Sequence, residues 1–302
     1  MRRRRKKRKE IKFKQLVQVV LVGLLLAFFV RVWFWWHQGW NRQSQINLAV
    51  EGRGGKILIL SLTPAKSLVT GLIIPANLVV ETPWFGRYQA AKLSLLANQE
   101  GKPLIFNRSL SYFLPLALDQ GWLGTDLDLE GEPKRVARGL RVFFAPWRRP
   151  SAVKFWLFLR RKDLVWQWFD LSQWSQSKTL PDGTQVLELD RERFGRAVLA
   201  DLTDPLVKNE AITIGVFNVG QQSGLAQRTA RLIEYFGGRV IEIGDREVEL
   251  NDCLIILRHR ELKQTHTFAR LQSVLSCRWQ VVPRESGEGM AEIQILVKSV
   301  KI

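Results

Sequence analysis

The chain has 302 residues, in which 46 Lys and Arg against 28 Asp and Glu give a formal net charge of +18. Hydrophobic residues make up 46% of the chain, enough to pack a core, which excludes wholesale disorder. Two cysteines exclude a disulfide-rich scaffold and lack the paired spacing of a zinc site. The length favours two domains, and the charge raises nucleic-acid binding as a hypothesis that depends on where the charge lies.

The positive charge is concentrated at the N-terminus. Ten lysines and arginines lie within the first fourteen residues beside the single acid Glu10, so this tail carries +9 of the net +18. A basic segment next to a membrane span is attracted to anionic lipid. The tail has one aromatic residue, Phe13, and no fold signature of its own. We therefore predict a cytoplasmic tail over residues 1–14 and regard nucleic acid as the less favoured partner.

An apolar segment follows the tail. Residues 15–36 are interrupted only by Gln15, Gln18 and Arg31, and they are long enough for a helix to cross a hydrocarbon core of ~30 Å. Four tryptophans at its end form the pattern of an interfacial aromatic belt: Trp33, Trp35, Trp36 and Trp40. These bulky residues stand where a signal-peptide cleavage site requires small ones. The sequence predicts an uncleaved signal-anchor in the cell membrane, single-pass, with the N-terminus cytoplasmic and the bulk of the chain extracytoplasmic.

Residues 37–55 are polar and contain several glycines, which favours a stalk over a core element. Beyond it, short apolar runs and helical patterns predict a domain over residues 56–172 and a connecting segment over 173–210. The predicted elements here are strands at 56–62, 67–74 and 184–189, helices at 86–98, 155–159 and 191–202, and a helix followed by a turn at 110–118, which Pro115 interrupts.

Residues 211–302 have the clearest pattern. Strands are predicted at 211–217, 239–243, 252–257, 278–282 and 291–297, and helices at 225–236 and 265–275. Gly237 and Gly238 follow the first of these helices, where a glycine cap is expected. This order predicts a small α/β sandwich domain, with α+β as the alternative. The fold class is therefore α/β, behind one N-terminal transmembrane helix.

Two parts of the chain resemble the LytR-CpsA-Psr family. The segments Ile214–Gly220, Ser223–Ala226 and Gly237–Val240 flank a predicted helix as in the family's C-terminal regulator domain, so residues 211–302 are similar to that domain. Residues 56–171 resemble the preceding catalytic domain, in which a strand leads into a segment of the type Ser-Ile-Pro-Arg-Asp-Thr. The matching segment in this chain is Ile73–Leu78.

The resemblance implies an extracytoplasmic protein of the cell envelope. Family members use arginines and acidic residues around this motif to hold a polyprenyl pyrophosphate and its metal, and they transfer the attached glycopolymer to the cell wall. In this chain Ala76 and Asn77 replace the Arg and Asp of the motif, so the phosphate-binding cation and the metal-binding carboxylate are both missing. We expect no catalytic residue, metal or cofactor at the motif.

Two functions remain open. The first is a non-catalytic protein that binds anionic wall polymer, polyprenyl-linked precursor or another envelope protein. The second is an active phosphotransferase that recruits other residues. Four arginines form a candidate ligand-binding concentration, with a solvated face as the alternative: Arg148, Arg149, Arg160 and Arg161. Outside the cytoplasm Cys253 and Cys277 could form a disulfide, or they could be two buried thiols.

Overall fold

The computed structural model describes residues 25, 44–82, 85–114, 116–129, 133–145, 153–198, 202–250, 252–275, 277–282 and 290–298. The predicted tail over 1–14 lies outside this part of the chain, and so does the predicted span over 15–36 apart from the helical residue Leu25. The four belt tryptophans also lie outside it. Within the described ranges, no helix has both the length and the apolar composition needed to cross a membrane. The anchor therefore stays a prediction.

Residues 42–302 form one compact unit with a mixed α/β structure. Its described strands are β1 (Ile46–Glu51), β2 (Ile57–Thr63), β3 (Leu68–Ile74), β4 (Val79–Thr82), β5 (Gly86–Gln89), β6 (Gln120–Trp122), β7 (Val165–Asp170), β8 (Ser175–Thr179), β9 (Gln185–Leu189), β10 (Thr213–Asn218), β11 (Arg239–Asp245), β12 (Cys253–Leu257), β13 (Arg278–Val281) and β14 (Ile293–Val297). Its described α-helices are α1 (Leu93–Gln99), α2 (Leu104–Phe113), α3 (Pro133–Phe143), α4 (Val153–Leu159), α5 (Arg191–Val198), α6 (Pro205–Glu210), α7 (Leu225–Tyr235) and α8 (His266–Leu275).

The first sheet has the strand order β6-β1-β2-β3-β7. The three central strands are antiparallel, and each edge strand runs parallel to its neighbour. Every residue of β1 and β2 is buried, because helices cover the sheet on both sides. One face packs Ile57, Ile59 and Leu72 against the apolar sides of α1 and α2. Toward the edge strand β6, Trp122 meets Phe144 of the segment after α3 edge to face, with ring centroids 5.3 Å apart.

The stalk prediction is wrong for residues 46–51, which form the buried strand β1 in the middle of the first sheet. The stalk was predicted because polar residues occur in and around this segment. Two of them, Gln45 and Asn47, are buried, and their hydrogen-bond partners lie far away in the chain. Gln45 donates from Nε2 to the carbonyl of Leu202 at 2.8 Å, and Asn47 donates from Nδ2 to the carbonyl of Ala117 at 3.0 Å. The side-chain nitrogens of both amides are thus hydrogen-bonded in the interior, as buried polar groups generally are.

The helix predicted over 86–98 is also wrong in its first half. Gly86 has a φ of +89°, a left-handed conformation that suits glycine, and it begins the strand β5. This strand pairs antiparallel with β4, and Thr82 Oγ1 donates to the carbonyl of Gly86 at 2.8 Å. Only the second half of the segment is α-helical, as α1.

The second sheet has the strand order β11-β10-β14-β12-β13, with β12 antiparallel to β14 and the other neighbours parallel. It confirms the strands and helices predicted for residues 211–302 to within a few residues. Its core consists mainly of apolar residues of β10, β12, β14, α7 and α8. Cys253 and Cys277 are joined in a disulfide, with Cα atoms 5.0 Å apart, because each lies at the start of one of the paired strands β12 and β13.

Residues 173–210, predicted as a connecting segment, belong to both cores. The strands β8 and β9 form a hairpin, and Phe194 and Val198 of α5 pack into the core of the first sheet. In contrast, Val207 of α6 packs into the core of the second. A largely buried ion pair joins the two regions, with Arg270 Nη1 of α8 2.6 Å from Asp119 Oδ1 beside β6. Apolar residues of the segment are therefore packed into both cores, whereas strand β8 is largely exposed.

Candidate functional site

Several loops meet at one edge of the first sheet. The strand β3 ends at Ile74, which pairs with Ile57 at the start of β2, and Ile57 in turn pairs with Glu51 at the end of β1. The parallel strand β6 ends beside β1, at Trp122. The loops 52–56, 75–78 and 123–129 therefore gather at this edge.

The segment Ile73–Leu78, predicted above to match the LytR-CpsA-Psr motif, lies at this edge, in the turn after β3. The turn is closed by the amide of Leu78, which donates to the carbonyl of Pro75 at 3.1 Å. The backbone of Ala76 and Asn77 ties the turn to its neighbours, because their carbonyls accept from Ala91 and Leu187 at 3.0 and 3.1 Å. The Asn77 residue is exposed. With a methyl group and a neutral amide, the two motif positions supply backbone contacts and no charge.

Glu51 fixes the loop 123–129 against the end of β1. Its buried carboxylate accepts from the Ser94 hydroxyl at 2.6 Å and from the Gly124 amide at 2.7 Å. The close approach of the loop requires glycine at position 52, since a Cβ there would lie 2.6 Å from the carbonyl oxygen of Leu127. The buried acid therefore positions the loop that carries the next two carboxylates.

A cavity of about 660 Å³ lies between this loop and α3. The loop contributes Asp126 and Asp128, which are exposed on either side of the buried Leu127, so that both face outward from the loop. The helix contributes Arg135 and Arg138, which lie three residues apart and so share one helix face. We call this cavity, with its two aspartates and two arginines, the α3 cavity.

The charges in the α3 cavity are open to solvent. Arg135 and Arg138 are exposed, and neither has a hydrogen bond or an ion pair within the described part of the chain. Beyond the charges the lining is apolar, with Val142 46% exposed and Phe143 beside it. The arrangement can receive a molecule that has an anionic end and an apolar continuation.

The α3 cavity could also hold a cation. The described residues contain no cluster of three or more His, Cys, Asp or Glu placed to bind a metal ion. Mg²⁺ is often held by one or two carboxylates together with the phosphates of a substrate, and Asp126 and Asp128 fit that donor set. The two aspartates fit a cation that arrives with a phosphate, and they do not form a complete protein cage.

Of the predicted arginine concentration, the two described residues, Arg160 and Arg161, do not line the α3 cavity. Arg148 and Arg149 lie outside the described residues, and Arg160 stacks on the Trp156 ring at 4.6 Å. Arg161 donates from Nε to Asp163 Oδ1 at 3.0 Å and from Nη2 to Ser67 Oγ at 2.9 Å. Hydrogen bonds from Arg161 and Ser67 lower the pKa of Asp163 to about 2. The positive charge of Arg161 is therefore already balanced within the protein.

The sequence contains the charged residues of the α3 cavity, but their spacing does not distinguish a binding site from a solvated surface. Acidic residues alternate across Asp126–Asp128, and two arginines stand at helical spacing three residues apart. Either pattern alone is typical of a solvated surface. Only the packing of α3 against the loop that follows β6 brings the two sets of charges to one cavity.

Comparisons with known proteins leave the family unassigned. No protein-family model matches the chain, and no curated protein matches it significantly. The solved structures similar to it include TagT of Bacillus subtilis, with 9% identity over 53% of this chain and 90% of that chain and a TM-score of 0.38. Another is the LytR-CPS2A-psr family protein YwtF (TagT) with bound octaprenyl pyrophosphate lipid, with 10% identity, the same two coverages and a TM-score of 0.38.

A third similar structure is TagU of Bacillus subtilis, with 7% identity over 50% of this chain and 93% of that chain and a TM-score of 0.36. TM-scores this low, at such identities, do not establish membership of a family. The function is therefore inferred from the residues of this chain.

Proposed function

We propose that this protein is a membrane-anchored, extracytoplasmic protein of the cell envelope, of LytR-CpsA-Psr type, which binds a phosphate-bearing ligand in the α3 cavity without transferring it. The ligand class is a polyprenyl-linked precursor or an anionic wall polymer. The observation that carries the proposal is the pair of exposed arginines on α3, which have no ion-pair partner among the described residues and lie beside the sheet edge that holds Ala76 and Asn77.

Arg135 and Arg138 suit a phosphate ligand. A guanidinium group presents its N–H donors in a planar fork that matches phosphate oxygens, and it keeps its charge at any physiological pH. Two such groups on one helix face can engage neighbouring phosphates. The apolar residues Val142 and Phe143 continue the cavity lining, which suits a lipid-linked ligand better than a free phosphate.

The motif substitutions support binding without transfer. Ala76 and Asn77 supply neither the cation nor the carboxylate that family members place there. Their backbone carbonyls are engaged with Ala91 and Leu187, so the turn serves to hold the sheet edge together. The proposal therefore separates ligand recognition, assigned to α3, from the chemistry that the motif performs in the family.

The anchor and its orientation form part of the proposal. They are supported by the apolar sequence of residues 15–36 and by the ten basic residues that precede it, which favour a cytoplasmic N-terminus. Deleting residues 2–9 should scramble the orientation of the chain, measured with reporter enzymes fused to its C-terminus. Loss of DNA binding with an unchanged orientation would instead support a nucleic-acid role for the tail.

Binding is tested with the full-length chain in detergent and a polyprenyl-pyrophosphate-linked glycopolymer as the probe. The double variant Arg135→Ala/Arg138→Ala should bind at least about tenfold more weakly, because charge-assisted hydrogen bonds are lost. The matched control is Arg193→Ala/Arg196→Ala on α5, an exposed arginine pair with the same spacing outside the cavity. Equal affinity of the α3 variant and the control would overturn the proposal.

One observation favours an active phosphotransferase as the second candidate. Asp126 and Asp128 converge with the arginines at the same cavity and are the residues that would hold a divalent cation, which would neutralise phosphate charge. Sustained Mg²⁺-dependent transfer to wall material that is lost in Asp126→Asn/Asp128→Asn would establish the enzyme. Binding that is retained in the absence of turnover would support the non-catalytic function.

A further inference from the structure

A second groove lies where the two sheet regions meet, formed by the end of α2, the start of α5 and one side of α7. It encloses about 190 Å³. We call it the junction groove and define it by Tyr112, Phe113, Arg191, Arg228, Arg231 and Tyr235. A neighbouring cavity of about 390 Å³ shares Glu81, Phe113, Leu189 and Arg191 with it, so the two cavities are adjacent.

Aromatic rings hold two of its arginines in place. The guanidinium of Arg191 lies 5.3 Å from the centre of the Phe113 ring, and that of Arg228 lies 5.4 Å from the Tyr112 ring. A guanidinium held over a ring by its flat face can still direct N–H groups at an oxyanion in the guanidinium plane, and Arg191 uses part of this capacity on Glu81. Holding the side chains in this way reduces the entropy lost when a ligand binds.

The junction groove has an excess of positive charge. Its one carboxylate, Glu81, is paired with Arg191 at 3.0 Å. Arg228 has no ion-pair partner in the described ranges, and Arg231, one turn along α7, has neither an ion pair nor a hydrogen bond there. In the neighbouring cavity the pKa of Glu188 is lowered by hydrogen bonds from Arg87 and Lys178, so this acid is also engaged. An incoming anion therefore meets two uncompensated arginines.

The size of the junction groove limits the ligand. A volume of about 190 Å³ is smaller than the ~300 Å³ at which sites for drug-sized molecules begin, so it holds one phosphate with part of its neighbouring unit. Because a second cavity lies beside the groove, a chain that continues from the bound unit has space on that side. Buried Phe113 and Phe194 line the wall and suit the apolar faces of polyol or sugar units.

We propose that the junction groove is a second binding site, which takes a phosphodiester unit of an anionic polymer between Arg228 and Arg231 of α7 and Arg191 of α5. The site is separate from the α3 cavity and does not depend on the function proposed for it. The N–H forks of the arginines bind the phosphate oxygens, and the aromatic residues contact the unit between phosphates. The protein would thereby hold a polymer at a distance from any lipid-linked end.

The test measures the fluorescence anisotropy of a labelled glycerol-phosphate oligomer with the full-length chain in detergent. All measurements use the Arg135→Ala/Arg138→Ala background, so that the α3 cavity does not contribute. Adding Arg228→Ala/Arg231→Ala should weaken binding about tenfold, and Arg228→Lys/Arg231→Lys should weaken it by a smaller factor, since lysine keeps the charge and loses the fork. Arg193→Ala/Arg196→Ala should leave the affinity unchanged.

Three results would overturn the inference. They are unchanged affinity after Arg228→Ala/Arg231→Ala, the same loss with Arg193→Ala/Arg196→Ala, and inorganic phosphate that competes at the same concentration as the oligomer. Binding of anionic lipid vesicles in preference to the oligomer would assign the groove to lipid headgroups and would also contradict it. If Arg135→Ala/Arg138→Ala does not weaken precursor binding, the proposed function fails. The junction groove is still tested, because its own substitutions are at Arg228 and Arg231.

Discussion

The ion pair Arg270–Asp119, the junction pair, and the α3 cavity use arginine in opposite ways. In the junction pair, the Arg270 side chain is 7% exposed and lies 2.6 Å from Asp119, and Nη2 also donates to the carbonyl of Ala117 at 3.1 Å. At the cavity, Arg135 and Arg138 are exposed and unpaired within the described residues. A paired, buried arginine is committed to the fold, whereas an exposed arginine beside a cavity can bind a ligand. Partners and burial thus distinguish the roles of identical side chains.

The largest expected effect comes from breaking the junction pair. Replacing Arg270 with methionine leaves the Asp119 carboxylate uncompensated, and removing one partner of a buried pair costs about 3–5 kcal/mol of unfolding free energy. Urea unfolding of the full-length chain measures this loss. The matched variant Arg138→Met, at the cavity, should change stability by no more than about 0.5 kcal/mol. Equal losses in the two variants would contradict the distinction between these regions.

The second effect concerns the disulfide of the second sheet, which has no counterpart in the first. Replacing Cys253 and Cys277 together with alanine should cost about 3 kcal/mol, because the bond closes a loop of 24 residues in the unfolded chain. Unfolding with and without a reducing agent measures the loss. The reducing agent should destabilise the wild type and leave the double variant unchanged. An unchanged wild type would show that the bond contributes nothing.

The smallest expected effect is the pH dependence of the Arg161–Asp163 pair. Arg161 is exposed, as the arginines of the α3 cavity are, and it is paired, as Arg270 is. Hydrogen bonds from Arg161 and Ser67 lower the pKa of Asp163 to about 2, below its ordinary value. The hydrogen-bonded Asp163 carboxylate therefore contributes fully to stability above about pH 4, and this contribution is lost as the pH falls through 2. Carboxyl chemical shifts in a pH titration measure this pKa.

Replacing Arg161 with glutamine should return the pKa of Asp163 towards its ordinary value. Replacing Arg160 with glutamine is the control, since Arg160 stacks on Trp156 and is not among the groups that lower this pKa. A low pKa that persists in Arg161→Gln would show that the Ser67 hydroxyl alone is sufficient.

Local patterns predicted most of the second sheet region. The apolar runs in β10, β12 and β14 and the stripe along α7 are long and regular, and the glycines after α7 mark its end. The pattern failed at β1, where Gln45 and Asn47 are buried because carbonyls of Leu202 and Ala117 accept from them. These partners lie far away in the chain, so no local signal identifies the strand as buried.

The candidate site, too, could be predicted from the sequence only in part. The sequence shows that Ala76 and Asn77 carry no charge, since that depends only on which residues are present. It also supplies two aspartates after β6 and two arginines on α3, without indicating that they line one cavity. Arg160 and Arg161 were predicted as ligand-binding residues because arginines are dense in that part of the sequence. In the fold, Arg160 lies over the Trp156 ring and Arg161 pairs with Asp163.

The sequence by itself determined the α/β class, the distribution of net charge and the apolar segment near the N-terminus, because composition and periodicity are local properties. Tertiary structure alone decided which charges are paired, as with Arg270 and Arg161, and which meet at a cavity, as with Arg135 and Arg138. The physical reason is that an ion pair or a cavity wall requires side chains from distant segments to approach within a few ångströms. Only the packed fold fixes that approach.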